Sequence, residues 1–448
     1  MIRFIFIFFA GAWFLLFFLK KARKSSFREV FSVPRRIVPL VLVVSAVVAS
    51  MFLVSYAPYV GDPPYYFGSS NAVLYAGEWP RNDGHELSLA TVVGVRYLVE
   101  QVFHLPLSFS IIAITFALSL LYAFSVFRFV VAGTECRSLA LLASVAVPFS
   151  FFTFWFLAFN VWAQFLSLNM FLLAVSCYFK RDSLWKTTLL LSLAVAFHVW
   201  SGVLYGLVFG VFIVLSWATR LGKLSEIKKI VPKVWFLPLL LLAAFQHWHV
   251  FLEREFDPLV SNPVFLAGFP ESPLVVALAA VGLFFLSQRK SKFSVLMFSW
   301  VIFCSFALFF HNSIWVNRIL FILPLPIFVA TGIHHAASKL KSRRMKALIV
   351  FSLVFAVAAT SIMASASYAS GTMNGRKVTL VEVDAIQAVA DNYGYRNKNV
   401  LLVVENPHDD IRTWAEYLTG MEVWYGSREK FDPSEFQGRK IVFLSEAF

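Results

Sequence analysis

Arg35-Arg36-Ile37-Val38-Pro39-Leu40-Val41-Leu42-Val43-Val44-Ser45-Ala46-Val47-Val48-Ala49-Ser50-Met51-Phe52-Leu53-Val54-Ser55-Tyr56 is a pair of arginines followed by an uncharged, mostly apolar run. Coiled as a helix, such a run is about 30 Å long, the thickness of a bilayer's hydrocarbon core. Before it, residues 20–36 hold seven lysines and arginines; after it comes Gly61-Asp62-Pro63-Pro64-Tyr65-Tyr66. The order is basic stretch, apolar span, then a loop led by a single acid. The same alternation organises most of the chain.

The composition agrees: of 448 residues, 59% are hydrophobic and 14% charged, against about 25% charged in a soluble domain. The sequence predicts twelve spans, at roughly 2–19, 37–56, 107–131, 138–156, 159–179, 185–200, 203–219, 234–252, 274–288, 293–312, 314–335 and 346–366. The apolar run 184–219 is too long for one crossing and is expected to break near Ser201-Gly202. Lysine and arginine mark cytoplasmic loops. Residues 20–36, Arg128 to Arg137, Lys180 to Lys186, Arg220 to Lys233, Arg289 to Lys292 and Lys339 to Lys346 together hold 25 of the 39 basic residues and four acids. With twelve spans all six stretches share one side, and both termini lie on the other, extracytoplasmic side. The net charge of +14 is then a cytoplasmic-face signal and not a nucleic-acid footprint. The N-terminal apolar run has its basic cluster behind it and is expected to be an uncleaved first helix. Cys136, Cys177 and Cys304 have no spacing that suggests zinc or a disulfide.

Three regions follow. Residues 1–36 are a membrane helix and a basic loop, 37–369 a transmembrane domain with a first extracytoplasmic loop at 57–106, and 370–448 a more polar tail. In the loop, Asp62 suits a helix N-cap, Pro63 and Pro64 the first turn, and Gly77 the position after the last, giving a helix of about 14 residues. Residues 87–103 read as a second helix, carrying Arg96 and Glu100 among apolar residues and expected to lie in the membrane interface. The tail reads as helix (382–392), strand (400–404), helix (409–418), strand (422–424) and strand (441–444): a small extracytoplasmic α/β module. It is too small for a large core of its own and is expected to lean on the membrane domain, next to the first loop.

Ionisable groups inside spans are costly and mark function. In this topology Asn160, Gln164, His198, His247, His249, Glu253, Arg254, His311, Asn312, Asn317 and Arg318 fall near the outer helix ends, with Trp155, Trp162, Trp200, Trp248 and Trp315 at the same level. This one-sided distribution points to a polar, aromatic cavity at the outer leaflet. Tryptophan faces stack on sugars, and histidine or arginine holds phosphate. The competing explanation is an ordinary aromatic belt with hydrated helix ends. Asp62 has a competing role too, as a helix cap with no chemistry. His85 and Glu86, ahead of the second loop helix, are secondary candidates.

Taken together, Gly61-Asp62-Pro63-Pro64-Tyr65-Tyr66, Leu74-Tyr75-Ala76-Gly77-Glu78-Trp79, Asn317-Arg318-Ile319-Leu320-Phe321-Ile322-Leu323-Pro324-Leu325-Pro326 and the weaker Phe197-His198-Val199-Trp200-Ser201-Gly202 resemble the GT-C superfamily. These are polytopic glycosyltransferases that use polyprenyl-phosphate-linked sugars. The likeness covers about residues 37–335. It implies an all-α membrane fold and transfer of one sugar, with inversion, to a lipid-linked or protein acceptor outside the cytoplasm. By the same resemblance Asp62 is the catalytic base. Arg318 and His311, with His198 and His247, hold the donor phosphate, and Trp200, Trp248 and Trp315 stack on the sugar. Many members have two adjacent acids in the loop; here Pro63 follows Asp62, so a metal-free route is expected, with no cofactor. A transporter or lipid flippase is the main alternative, and a non-catalytic envelope assembly protein the next. Against a carrier, the halves show no repeat, and no charged residue falls near the midplane.

Overall fold

The computed structural model describes residues 27–56, 63–79, 86–149, 162–180, 184–219, 221, 272–305, 324–372, 378–405, 409–426 and 430–444. In chain order these form α1 (Ile37–Tyr56), α2 (Pro63–Ala76), α3 (Glu86–Arg96) running into a π-helical segment (Tyr97–Val102), α4 (Leu107–Thr134), α5 (Arg137–Ala146), α6 (Trp162–Phe179), α7 (Leu184–Phe197) and α8 (Val199–Ala218). There follow α9 (Pro273–Ser287), α10 (Lys292–Ser305), α11 (Leu325–Ser338), α12 (Arg343–Thr372), α13 (Leu380–Tyr393), β1 (Val400–Val404), α14 (Asp409–Thr419), β2 (Glu422–Tyr425) and β3 (Lys440–Phe443). The chain divides into two compact units: Met1–Val48, Ser119–Thr153 and Ala163–Ser365 form the first, and Ala49–Leu118, Phe154–Trp162 and Ala366–Phe448 the second.

Within the first unit the helices pack as membrane helices do. Where α9 meets α11, a Cβ on Gly282 would lie 2.0 Å from the Phe328 carbonyl oxygen, and one on Gly332 2.2 Å from that of Leu278. Only glycine permits this backbone approach, which replaces the hydrophobic drive that lipid does not supply. Elsewhere in the unit Phe171 stacks on Tyr205 at 4.9 Å and meets Trp300 edge-on at 5.1 Å. Among the described residues, Leu107–Thr134, Trp162–Phe179, Ser201–Ala218 and Arg343–Ala364 are long and apolar enough to cross a membrane; Ile37–Met51, Arg137–Ala146, Leu184–Phe197, Pro273–Ser287 and Lys292–Cys304 are shorter apolar helices. On α12, Leu348, Phe351, Phe355 and Met363 are all more than half exposed. A row of large apolar side chains facing outward calls for an apolar solvent, so the chain is a membrane protein.

Two sequence expectations are corrected here. The break in 184–219 falls at His198, a few residues before Ser201-Gly202, because His198 leaves helical geometry (φ −155°, ψ 102°) and its Nδ1 accepts the Ser201 N–H at 3.1 Å, capping α8. The helix expected to run through 138–156 ends at Ala146 and tightens to a 3₁₀ turn over Val147–Phe149, where Pro148 has no N–H to continue it. The expected spans 2–19 and 234–252, and residues 314–323 of another, lie outside the described residues.

On the basic-loop side of the first unit, Glu29 caps α5 from more than a hundred residues away. Its carboxylate accepts the Arg137 N–H at 2.7 Å and the Ser138 N–H at 2.8 Å, satisfying two donors that a helix start leaves open. Burial pushes Glu29 up, but the hydrogen bonds from Ser138 and Arg137 outweigh it and hold the carboxyl below its ordinary range. With a native pKa below the unfolded one, the stabilisation is complete above the unfolded value of about 4.3 and is lost as pH falls through the native one. Glu29→Gln should therefore lower stability by about 1 kcal/mol at neutral pH and flatten the acid side of the melting profile. Equal acid sensitivity of the two forms in thermal melts would refute this.

The tail has the elements its periodicity predicts. In α14, Ile411, Trp414, Ala415 and Leu418 are buried at helical spacing. The strands form a parallel sheet in the order β2-β1-β3, with Leu402 opposite both Val423 and Val442. The central strand Val400-Leu401-Leu402-Val403-Val404 is apolar and buried throughout, as a parallel strand covered on both faces must be. Thr379 and Glu382 close a capping box at the head of α13, Glu382 accepting from the Thr379 N–H at 2.6 Å.

Candidate functional site

The first-loop helix α2 starts at Pro63, directly after Asp62, and ends at Ala76; Gly77 follows in the left-handed region (φ +66°). These are the bounds the sequence predicts. Asp62 itself lies outside the described residues. What the structure shows is how the helix behind it is held. One face, with Tyr66, Phe67, Ser70, Asn71 and Ala72, is buried. Tyr66 stacks on Trp162 at 5.8 Å, and Phe67 meets the same indole edge-on at 5.6 Å and stacks on Trp414 of α14 at 6.0 Å.

Beneath that face sits Arg96, the last residue of α3, with no exposed side-chain surface. Its Nη1 donates to the Phe67 carbonyl at 2.9 Å, Ser70 Oγ at 2.7 Å and Asn71 Oδ1 at 2.6 Å. On the other edge Nε and Nη2 form a two-pronged bond to Glu100 Oε1 (2.7 Å) and Oε2 (2.6 Å), and the Ser110 hydroxyl donates to Oε1 at 2.8 Å. Only a guanidinium has donors arrayed to grip a helix turn on one edge and a carboxylate on the other. The sequence places Arg96 and Glu100 on an interfacial helix over 87–103. The structure has a helix there, running into π geometry at Tyr97; the charged pair turns inward, and Tyr97, Leu98, Val102 and Phe103 face outward, each at least half exposed. The signal in the sequence is an Arg and a Glu four apart in apolar surroundings; nothing local says that they face inward.

The tail closes on the same helix, as expected. Asn71 Nδ2 donates to Gln387 Oε1 at 3.1 Å and to the Leu418 carbonyl at 2.5 Å. Asp384 of α13 caps α4, accepting from the Ser108 N–H at 2.8 Å and its hydroxyl at 2.6 Å. Tyr75 donates to Asp391 at 3.2 Å, and burial together with the Asp391 charge pushes the phenol up to about 12, so it remains a donor at neutral pH. The loop helix that Asp62 precedes is thus fixed by α3, Trp162 and the tail together, through contacts whose partners lie up to 347 residues away.

Among the other sequence-predicted groups, His198 is buried, with Nδ1 committed to the α8 cap; in the neutral ring the proton then sits on Nε2. Glu86 opens α3 and Trp200 lies in the first turn of α8, their side chains outside the described set. His85, His247, Trp248, His311, Trp315 and Arg318 lie outside the described residues. Within the spans, Asn169 is buried, its amide donating to the Phe165 carbonyl at 2.8 Å. Among the described residues no group of three histidine, cysteine or acidic side chains gathers to hold a metal.

No family model and no curated protein matches the chain. Solved structures do. The arabinofuranosyltransferase AftD from Mycobacteria, determined by cryo-electron microscopy, is similar over 89% of this chain with a TM-score of 0.50 and 15% identity. A mutant form of the same protein matches over 92%, with a TM-score of 0.52 and 16% identity. The chain spans 32% and 34% of those longer chains. The likeness shows the fold alone: this chain shares that of the arabinofuranosyltransferase AftD over the matched region.

Proposed function

We propose that this chain is a membrane glycosyltransferase that moves one sugar from a polyprenyl-phosphate donor to a lipid-linked or protein acceptor on the extracytoplasmic side. The observation that supports it most is the shared fold, together with the clamped helix α2 directly behind Asp62. In the reaction the Asp62 carboxylate takes the proton of the acceptor hydroxyl as its oxygen bonds to the sugar's anomeric carbon. The carbon–oxygen bond to the donor phosphate breaks, its electron pair leaves with the polyprenyl phosphate, and the anomeric centre inverts. Arg318 and His311 neutralise that phosphate, a role a divalent ion would otherwise fill. His198 and His247 line the donor side, Trp200, Trp248 and Trp315 take the sugar face, and His85 and Glu86 stand as reserve polar groups of the loop. No cofactor is required on this route. Purified chain given polyprenyl-phosphate sugars should transfer sugar to an acceptor lipid or peptide. An arabinofuranosyl donor is the first to assay, since the neighbours are named for that sugar. Donor depletion without a glycosylated product, or no turnover with any donor, would remove the proposal.

The topology that goes with this reading has twelve spans, a multi-pass chain in the cell membrane, and both termini and the module 370–448 outside. Glu435, exposed in the tail, offers a probe. Glu435→Cys in a background lacking the three native cysteines should react with an impermeant maleimide in intact cells. Reaction only after permeabilisation would invert the topology and separate the loop from any external acceptor.

A further inference from the structure

The loop and tail share a second surface that the transfer chemistry leaves unused. Tyr75, in the last turn of α2, and Trp79, just past Gly77, are 44% and 46% exposed. Tyr395 lies beside Tyr75, ring centroids 6.4 Å apart and planes tilted by 31°. Asp391 accepts from Tyr75 and, at 3.0 Å, from the Gln387 amide. Glu78, next to Trp79, pairs with Arg396, whose guanidinium lies over the Tyr395 ring, 5.2 Å from its centroid. Exposed Tyr75 and half-buried Tyr395 thus stand among two carboxylates, an amide and a guanidinium, and exposed Trp79 follows Glu78 in the chain, all within the second unit.

This mixture fits one chemistry best. A sugar ring offers C–H bonds on its face and hydroxyls around its edge, so it needs an aromatic platform rimmed by acceptors and donors. An anionic headgroup or nucleic acid would require a cationic surface, whereas Glu78 and Asp391 outnumber Arg396. A purely apolar partner would have no use for the charged rim. We propose that Tyr75, Trp79 and Tyr395, with Asp391, Glu78 and Arg396, form a binding platform for a neutral oligosaccharide. Its identification as the acceptor glycan rests on the glycosyltransferase reading. On that reading the tail holds a growing glycan beside the loop that modifies its end.

The test is calorimetric titration of the full chain in lipid nanodiscs with soluble neutral hexasaccharides of pentose and of hexose units. At least one class should bind. Trp79→Ala and Asp391→Asn should each weaken it about tenfold, and Tyr75→Phe, which keeps the ring, less. Trp79 stands outside regular structure at the surface, so its replacement tests the ring and not the fold. Binding by no member of the panel, or equal binding by Trp79→Ala, overturns the proposal. So does a membrane seat for the ring, seen as quenching by brominated lipid acyl chains that disappears in Trp79→Phe. Oligosaccharide binding without turnover would keep the platform and remove the enzyme; turnover on a short acceptor without such binding would do the reverse.

Discussion

Asp62→Asn should slow sugar transfer by about 10²- to 10⁴-fold and leave donor affinity nearly unchanged. The choice of asparagine decides between two roles. Asp62 stands at the residue before α2, where a side-chain oxygen can cap the helix, and asparagine caps as well as aspartate does. A purely structural Asp62 would therefore tolerate the change, whereas a base would not, because an amide cannot take the acceptor's proton. Asp62→Ala removes both functions and should add about 1 kcal/mol of instability to the same kinetic loss. The anchoring of α2 sharpens the comparison: Arg96, Asn71 and Phe67 hold the helix through groups that neither substitution touches. Chelation tests the other half of the mechanism. Activity that survives EDTA agrees with Arg318 as the fixed cation opposite the leaving phosphate, and its complete loss would refute the metal-free route. Full turnover by Asp62→Asn would remove Asp62 from the chemistry whatever EDTA does.

How much of this is legible in the sequence depends on where each signal's partner lies. The bounds of α2 are written into its own residues: prolines that fit a first turn and a glycine that tolerates positive φ after the last. The tail is legible for the same reason, since the spacing of Ile411, Trp414, Ala415 and Leu418 and the unbroken apolar run of β1 are local patterns. Legibility fails where a side chain is satisfied from far away. His198 reads as a polar group near the outer end of a span, and its part in ending α7 and capping α8 depends on a backbone angle no composition reports. Glu29 is one of the four acids within the basic stretches, and nothing local tells that it caps a helix far along the chain. Arg96 and Glu100 read only as a charged pair among apolar residues on an interfacial helix; their burial is decided by Phe67, Ser70, Asn71 and Ser110, none of which marks itself in sequence. For the site, the sequence supplies the acid and the outer-level polar groups, and the structure supplies the clamp behind the acid.

That clamp carries the second large effect. Arg96→Met should cost about 3–5 kcal/mol, because it leaves Glu100 buried without its counter-charge and three oxygens of α2 without their shared donor. Folded chains are stable by only about 5–15 kcal/mol, so a loss of this size should show as poor accumulation or a large drop in melting temperature. Arg96→Lys keeps the charge but not the planar fork: one ammonium cannot grip Glu100 with two parallel bonds and also reach the Phe67–Asn71 turn. It should therefore fall between wild type and Met. The double variant Arg96→Met with Glu100→Leu separates the two parts of the loss. With no buried charge left, it should regain much of the stability, since an ion pair replaced by apolar groups of similar size is often close to neutral. It should not regain the register of α2, whose Phe67, Ser70 and Asn71 oxygens would still lack their donor. The double variant is then expected to fold, to keep donor binding, and to transfer sugar more slowly than its stability alone would suggest. Denaturant unfolding in detergent, set beside turnover for the four variants of the cycle, measures both parts. A cost below about 1 kcal/mol for Arg96→Met would mean that the tail and Trp162 hold the loop helix without the arginine.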